Sequence, residues 1–223
     1  MNIAIDGPAG AGKSTVARQV AEKLGYLYID TGAMYRALAW AIRRHQLPVQ
    51  NEAEVSRLLQ DNVIRLERDK GEQRVYWNET DVTDVIRTPE VSEYASIVAS
   101  YPSVRGQMLR LQRKLAEQGN VVMDGRDIGT HVLPDAEVKI FLTASVQERA
   151  LRRWKELRAK GKDAQLSDME KEIAERDHRD MNRETAPLRQ AEDAVLIDTT
   201  GIPIDQVVER ILEICTRTGE AGQ

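Results

Sequence analysis

The sequence predicts an α/β protein with a five-stranded parallel sheet covered by helices on both faces. Five short apolar runs are typical of buried strands, and stretches with a helical period separate them: residues 3–5, 27–29, 121–123, 138–142 and 195–197. Strands that alternate with helices favour a parallel sheet. An aspartate or a threonine follows each run, at Asp6, Asp30, Asp124, Thr143 and Asp198. Because such sheets bind ligands at the carboxyl ends of their strands, the residues that follow the runs are candidates for function.

The first run leads into a glycine-rich octapeptide. Residues 7–14, GPAGAGKS, fit the pattern G-x-x-x-x-G-K-[ST], in which backbone N–H groups surround the phosphates of a nucleoside triphosphate. Lys13 would reach the β and γ phosphates, and the Ser14 hydroxyl would bind Mg²⁺. A strand precedes the loop, and a helix that ends at Gly25 follows it, so this context favours a phosphate site over a chance glycine-rich turn. A dinucleotide fingerprint is disfavoured, since Thr15 stands where its third glycine would be. The predicted triphosphate contacts in this stretch are Gly7, Pro8, Ala9, Gly10, Ala11, Gly12, Lys13, Ser14 and Thr15.

An insertion with a different pattern follows the second strand. Residues 63–68 and 73–78 flank a short turn, which predicts an antiparallel hairpin outside the main sheet. On either side of it we expect a helix capped by Asn51 and extending to about Gln60, and a longer helix over about 103–118.

Capping boxes predict the starts of two later helices. Ser145 with Glu148 places one start near Val146, and Ser167 with Glu170 places another near Asp168. Between these helices, residues 160–163 are predicted to form a mobile loop.

Bulk properties narrow the function classes. A chain of 223 residues is long enough for one core with an inserted subdomain. Its net charge of −4 argues against a basic nucleic-acid-binding face. The single cysteine, Cys215, excludes an internal disulfide and suits a reducing compartment. No apolar run approaches the roughly 18 residues needed to span a bilayer. We therefore expect a cytoplasmic protein without nucleic-acid or membrane partners, and a monomer.

Charged residues near the start of a predicted helix form a first candidate site. The segment 30–36, DTGAMYR, follows the second strand and would place Asp30, Thr31 and Arg36 where an acceptor substrate binds. The alternative is an ordinary helix cap by Asp30 or Thr31, with Arg36 solvated.

A second candidate site follows the third run. Asp124 takes the position of a metal-organising acid in phosphate-loop proteins, although no second acid follows it directly. Arg126 and Asp127 offer the donors and acceptors that reading a base edge requires. The alternative is a surface turn whose charges pair internally.

The third candidate site lies on helices. Arg149, Arg152 and Arg153 follow the fourth run, while Arg176, Asp180 and Arg183 have spacings of four and three and share a helix face. Two arginines oriented by an aspartate suit the binding of a transferred phosphoryl group. The alternative is an ordinary solvated helix face. The histidines, His45, His131 and His178, lack metal-binding spacing and are given no role.

With these motifs, the chain strongly resembles the bacterial cytidylate kinases, which are nucleoside monophosphate (NMP) kinases. The matching segments are residues 5–8, 30–36, 86–91, 125–130 and 176–183, so the resemblance covers nearly the full length. It implies a P-loop NMP kinase fold that transfers the γ-phosphoryl group of ATP, with Mg²⁺, to CMP or dCMP. The alternatives are a UMP/CMP kinase or another small P-loop kinase. A guanine-nucleotide switch is opposed, since neither Asn-Lys-x-Asp nor Thr-Lys-x-Asp occurs.

The resemblance also implies residue roles. Lys13, Arg126, Arg176 and Arg183 form the predicted catalytic set, and Arg153 is expected to stack on adenine. Ser14 binds Mg²⁺, with Asp124 as a possible indirect contributor. Asp127 and Ser96 would read the cytosine. The predicted CMP contacts are Asp30, Thr31, Arg36, Ser96, Arg105, Arg126, Asp127, Asp180 and Arg183.

The implied organisation is a single P-loop kinase unit over residues 1–223. Its core comprises about 1–36, 104–152 and 184–218. The NMP-binding region covers about 37–103 with the hairpin insert at 63–78, and a short lid covers about 153–167.

Overall fold

A computed structural model describes residues 1–69 and 71–221, without the side chain of residue 221. In chain order the strands are β1 (Ile3–Asp6), β2 (Leu27–Asp30), β3 (Ile64–Asp69), β4 (Glu72–Trp77), β5 (Thr80–Asp81), β6 (Val121–Gly125), β7 (Val138–Thr143) and β8 (Val195–Asp198). The helices are α1 (Lys13–Leu24), α2 (Thr31–Arg44), α3 (Glu52–Gln60), α4 (Pro89–Val98), α5 (Pro102–Ala116), α6 (Val146–Ala159), α7 (Leu166–Asn182) and α8 (Ile204–Ala221). A π-helical turn, Ile128–Val132, follows β6.

The predicted five-stranded parallel sheet is confirmed, with the strand order β2-β6-β1-β7-β8. The central strand β1 pairs in parallel with β6 and β7. Its residues Ile3, Ala4 and Ile5 are fully buried, as expected for a strand covered on both faces. The parallel register places Asp6 opposite Gly125, so the loops after β1 and β6 leave the same edge of the sheet.

The chain divides into two compact units, which we call the core unit (Met1–Leu27 with Gly119–Gln223) and the insert unit (Tyr28–Gln118). In the insert unit, β3 and β4 form the predicted antiparallel hairpin, in which Ile64 pairs with Trp77. A short third strand, β5, which the sequence pattern did not predict, pairs with β4. Buried side chains such as Met34, Leu38 and Met108 give this unit a hydrophobic core of its own.

Helix termini test the capping predictions. Asn51 accepts a hydrogen bond from the Glu54 N–H and caps α3, and Ser145 caps α6 by accepting from the Glu148 N–H, so both are confirmed. The predicted cap at Ser167 is wrong, and α7 starts two residues before Asp168. Gln165 has the extended backbone of an N-cap residue, so the helix begins at Leu166 and Ser167 lies within its first turn. The sequence match to a capping box could not show where the backbone leaves the extended conformation.

Among the residues described, no helix combines the length and the apolar character needed to cross a membrane.

Candidate active site

The loop between β1 and α1 depends on its glycines. Gly7 has φ 146°, and a Cβ atom added there would lie 1.9 Å from the Leu142 carbonyl oxygen. Gly12, at the start of α1, has φ 87°, which lies in the left-handed region that side chains rarely adopt. The loop therefore approaches β7 closely and leads directly into a helix N-terminus, where free backbone N–H groups favour an anion.

Lys13 is buried at the start of α1, with 5% of its surface exposed. Its Nζ donates a hydrogen bond to the Pro8 carbonyl, 2.8 Å away, within the same loop. Burial, reinforced by the positive charges of Arg126 and Arg176, lowers the pKa of Lys13 well below its ordinary value. A phosphate bound beside these cations would relieve their mutual repulsion, so the electrostatics favour a polyanion.

The hydroxyl of Ser14 donates to Oδ2 of Asp124, 2.9 Å away. Asp124 is the second-to-last residue of β6 and is buried, with 3% of its surface exposed. Hard oxygen donors of this kind suit Mg²⁺. Within residues 1–69 and 71–221, no cluster of three or more His, Cys, Asp or Glu side chains is positioned to hold a metal ion.

Two ion pairs join the charged residues after β6 to those at the end of α7. Arg126 Nε lies 2.9 Å from Asp180 Oδ2, and Arg183 Nη2 lies 3.3 Å from Asp127 Oδ1. Burial alone would raise the pKa of Asp180, but Arg126, Arg176 and Arg183 outweigh it, and the pKa lies below its ordinary value. The alternative of a solvated helix face is thus wrong for Asp180 and Arg183, which are both buried.

The arginines of α6 differ in their surroundings. Arg149 is buried and forms a bidentate pair with Asp177, with distances of 3.0 and 2.5 Å. It also donates to the Ala9 carbonyl of the glycine loop, 3.0 Å away. Arg152 donates to the side chain and carbonyl of Thr199. Arg153, whose side chain is 35% exposed, pairs with Glu156 at 3.5 Å. The Arg153 guanidinium is accessible from solvent, whereas the Arg149 guanidinium is buried and hydrogen-bonded within the protein.

In the insert unit, Asp30 connects several polar groups. Its Oδ1 accepts from the Ala33 N–H, so Asp30 caps α2 as the alternative interpretation expected. Its Oδ2 lies 2.9 Å from Arg36 Nη2, which shows that Arg36 is ion-paired rather than solvated. Arg87, to which sequence reasoning gave no role, also reaches this oxygen, at 3.6 Å. Two guanidinium groups therefore converge on one buried carboxylate.

The remaining predicted residues of the insert unit are buried too. Thr31 begins α2 and is 4% exposed. Arg105 donates to the Ala99 carbonyl at 3.2 Å. Ser96 is 5% exposed, and its hydroxyl has no hydrogen-bond partner within the described part of the chain. A buried hydroxyl without a partner is unfavourable unless something else supplies one, so Ser96 points to a ligand.

Comparison with known proteins shows the family. A family model described as cytidylate kinase matches residues 3–217. The chain belongs to the cytidylate kinase family. This confirms the resemblance seen in the motifs and makes the chain a phosphotransferase.

Individual relatives agree with this family over nearly their full lengths. A cytidylate kinase of Halalkalibacterium halodurans is 56% identical over 212 residues, covering 95% of this chain and 96% of that protein. One from Desulfitobacterium hafniense is 50% identical over 222 residues, covering 100% of this chain and 95% of the relative. Among solved structures, shikimate kinase from Acinetobacter baumannii has a TM-score of 0.50 at 17% identity, covering 97% of this chain and 93% of the other. That structural likeness shows the fold alone.

Proposed function

We propose that this member of the family transfers the γ-phosphoryl group of ATP to CMP or dCMP, forming ADP and CDP or dCDP. The observation that supports it best is the gathering of Lys13, Arg126 and Arg176 in the core unit, beside a glycine loop that fits a triphosphate. Lys13 is buried and the two arginines are partly buried, so their grouped positive charge is costly unless anions compensate it. The full-length family match selects cytidine monophosphates as the acceptors.

On the donor side, the loop from Gly7 to Gly12 would surround the phosphates with N–H groups, and Thr15 would lie at the helix start. Lys13 would turn from the Pro8 carbonyl toward the β and γ phosphates. Ser14, whose hydroxyl donates to Asp124, would hold Mg²⁺. When bound, the ion would neutralise charge on the phosphates. Arg153, accessible on α6, would stack on the adenine.

In the transfer step, an oxygen of the CMP phosphate attacks the γ phosphorus, and the bond from that phosphorus to the β–γ bridging oxygen breaks. No protein nucleophile is required, because alignment and charge stabilisation supply the catalysis. Arg126, Arg176 and Arg183 would neutralise the charge on the transferring group. Asp180 holds Arg126 in place by an ion pair, while Arg183 is held by Asp127 and the Ala186 carbonyl.

In the insert unit, we assign Arg36 and Arg105 to the acceptor phosphate, and the resemblance to the family gives Arg126 a phosphate-binding role as well. Asp30 holds Arg36 by an ion pair and caps α2 with its other oxygen, so it would also fix the adjacent Thr31. Arg87, half exposed beside the same carboxylate, is a further candidate for the phosphate. The resemblance to the family assigns Ser96 and Asp127 to cytosine, and Asp30 and Asp180 to the sugar.

Steady-state assays with ATP and a panel of CMP, dCMP and UMP test the proposed function. We expect CMP and dCMP to be preferred over UMP by roughly 5-fold to 150-fold in kcat/KM, the equivalent of one base contact. Equal or faster turnover of UMP would contradict the assignment of cytosine, and no transfer to any member of the panel would contradict the function itself.

Ser96→Ala separates ligand binding from stability. Because the Ser96 hydroxyl lacks a partner in the described structure, its removal should leave the free energy of unfolding unchanged or slightly higher. The same change should raise KM for CMP by about 3-fold to 10-fold, the value of one neutral hydrogen bond. Urea unfolding and CMP titrations measure the two effects. Ser103→Ala in α5 removes an exposed hydroxyl that donates to Glu52, so as a control it should leave KM for CMP unchanged whatever it costs in stability. A loss of stability without a change in KM for Ser96→Ala would refute the role of Ser96.

The monomeric state and the cytoplasmic location stay predictions from the sequence. Light scattering coupled to size-exclusion chromatography tests the first of them.

A further inference from the structure

Asp6 makes a long-range contact that the proposed mechanism does not yet use. It is the last residue of β1 and is 5% exposed. Its Oδ1 accepts from the Ile128 N–H at 2.8 Å, and its Oδ2 accepts from the Gly129 N–H at 2.7 Å. These two amides are 122 and 123 positions away along the chain. One carboxylate therefore joins the strand before the glycine loop to the segment after β6.

The segment that Asp6 holds is the start of the π-helical turn Ile128–Val132. Asp127 occupies the cap position of this turn, but its side chain makes no capping hydrogen bond. The Asp127 carbonyl instead accepts from the N–H groups of His131 and Val132, at 2.9 and 3.1 Å. Asp6 thus accepts hydrogen bonds from N–H groups that the Asp127 side chain would accept from if it capped the turn. The Asp127 carboxylate pairs with Arg183 instead.

Close packing fixes this arrangement on its other side. A Cβ atom added at Gly129 would lie 3.2 Å from Lys139 Cδ, which is a tight contact, and 3.4 Å from Asp6 Oδ2, which is an ordinary one. Alanine at this position would therefore crowd the Lys139 side chain and touch the carboxylate that holds the turn.

Burying the Asp6 carboxyl group at this place is unfavourable for its charged form. Burial raises the pKa of Asp6 to about 7, and the negative charge of Asp127 adds to the effect, while the two N–H groups and Lys13 oppose it. If the side chain served only to fill space, an uncharged residue would be more stable. Each of the two oxygens accepts from a backbone N–H, so this place requires two acceptors.

We propose that Asp6 is a positioning residue for acceptor selection, which holds the backbone of Ile128 and Gly129 so that Asp127 and Arg126 meet CMP in the correct orientation. This inference rests on the proposed function of Asp127 and Arg126, and it deepens it. The hydrogen bonds of Asp6 go to backbone N–H groups, and we assign it no contact with a nucleotide. It acts by tying the base-reading turn to the strand that carries the glycine loop.

Asp6→Asn is the sharpest test, because asparagine keeps the size of the side chain but offers one carbonyl oxygen instead of two acceptors. One of the two amides then faces an NH₂ donor. We expect KM for CMP to rise about tenfold and the preference for CMP over UMP to fall by a similar factor, as for one unsatisfied buried donor. KM for ATP should change less than twofold.

Ile140→Val is the matched control. Ile140 is buried in β7, the other neighbour of β1, so the substitution weakens the same sheet without touching the turn. Its KM values and base preference should equal those of the wild type. Urea unfolding of both variants shows whether their losses of stability are comparable.

Gly129→Ala perturbs the contact from the opposite side and leaves Asp6 intact. It should shift KM for CMP in the same direction, and it provides the test if Asp6→Asn fails to fold. Wild-type KM and base preference in either folded variant would overturn the inference, as would equal rises in KM for ATP and CMP. A wild-type protein that does not phosphorylate CMP would instead contradict the proposed function, whichever result the variants give.

Discussion

Lys13→Ala should lower kcat by at least roughly 10²-fold to 10³-fold while the protein stays folded. The Lys13 ammonium is buried beside Arg126 and Arg176, and burial and these two cations lower its pKa, so its charge is disfavoured in the free protein. That charge becomes favourable when phosphate oxygens approach, and most favourable when negative charge spreads over the transferring group. The loss should therefore fall mainly on kcat. Coupled assays at saturating ATP and CMP measure it.

Lys23→Ala is the matched control for this prediction. Lys23 lies in the last turn of the same helix, α1, and is exposed, so the substitution removes an equal charge away from the loop. It should leave kcat within about twofold of the wild type. Near-normal activity of Lys13→Ala would contradict the assignment of the glycine loop to ATP.

Local patterns were sufficient for much of the fold and for part of the site. The five apolar runs became the strands of one sheet because a strand buried on both faces must be apolar throughout. The spacing of Arg176 and Asp180 correctly placed their charges together, since residues four apart share a helix face. The prediction that Arg183 shares this face is wrong, because Arg183 follows α7 as its C-cap residue and has an extended backbone. The caps at Asn51 and Ser145 depend on neighbouring residues alone, so they were predictable too.

Contacts between distant segments were not predictable in this way. Asp6 stood out only as a polar residue after a strand, because its partners Ile128 and Gly129 come much later in the chain. Arg149 resembled Arg152 and Arg153 in the sequence, yet tertiary packing buries it against Asp177. Nothing in the sequence around Ser96 indicates that its hydroxyl lacks a partner among the described residues. Such properties depend on which elements pack together, and the pattern within one element does not record that.

Asp177→Ala should lower the free energy of unfolding by about 3–5 kcal/mol, the cost of leaving a buried charge without its partner. The Arg149 side chain is 4% exposed and donates two hydrogen bonds to Asp177, which joins α6 to α7. Without the carboxylate, the guanidinium keeps its bonds to the Ala9 and Ala144 carbonyls but loses its compensating charge. Urea unfolding at neutral pH, with the slope compared between variants, measures the change.

Two further variants distinguish a buried pair from an ordinary ion pair. Glu213→Ala breaks an exposed pair with Arg217 on α8 and should cost less than about 1 kcal/mol. The double variant Arg149→Met with Asp177→Leu removes both charges, so it should recover most of the stability that Asp177→Ala loses. It should not recover full activity, because Arg149 also donates to the Ala9 carbonyl and so holds the glycine loop. If Asp177→Ala costs no more than Glu213→Ala, the pair contributes little and the loop must be held by other contacts. If the double variant regains stability but not kcat, Arg149 acts on catalysis through the position of the loop rather than through the stability of the fold.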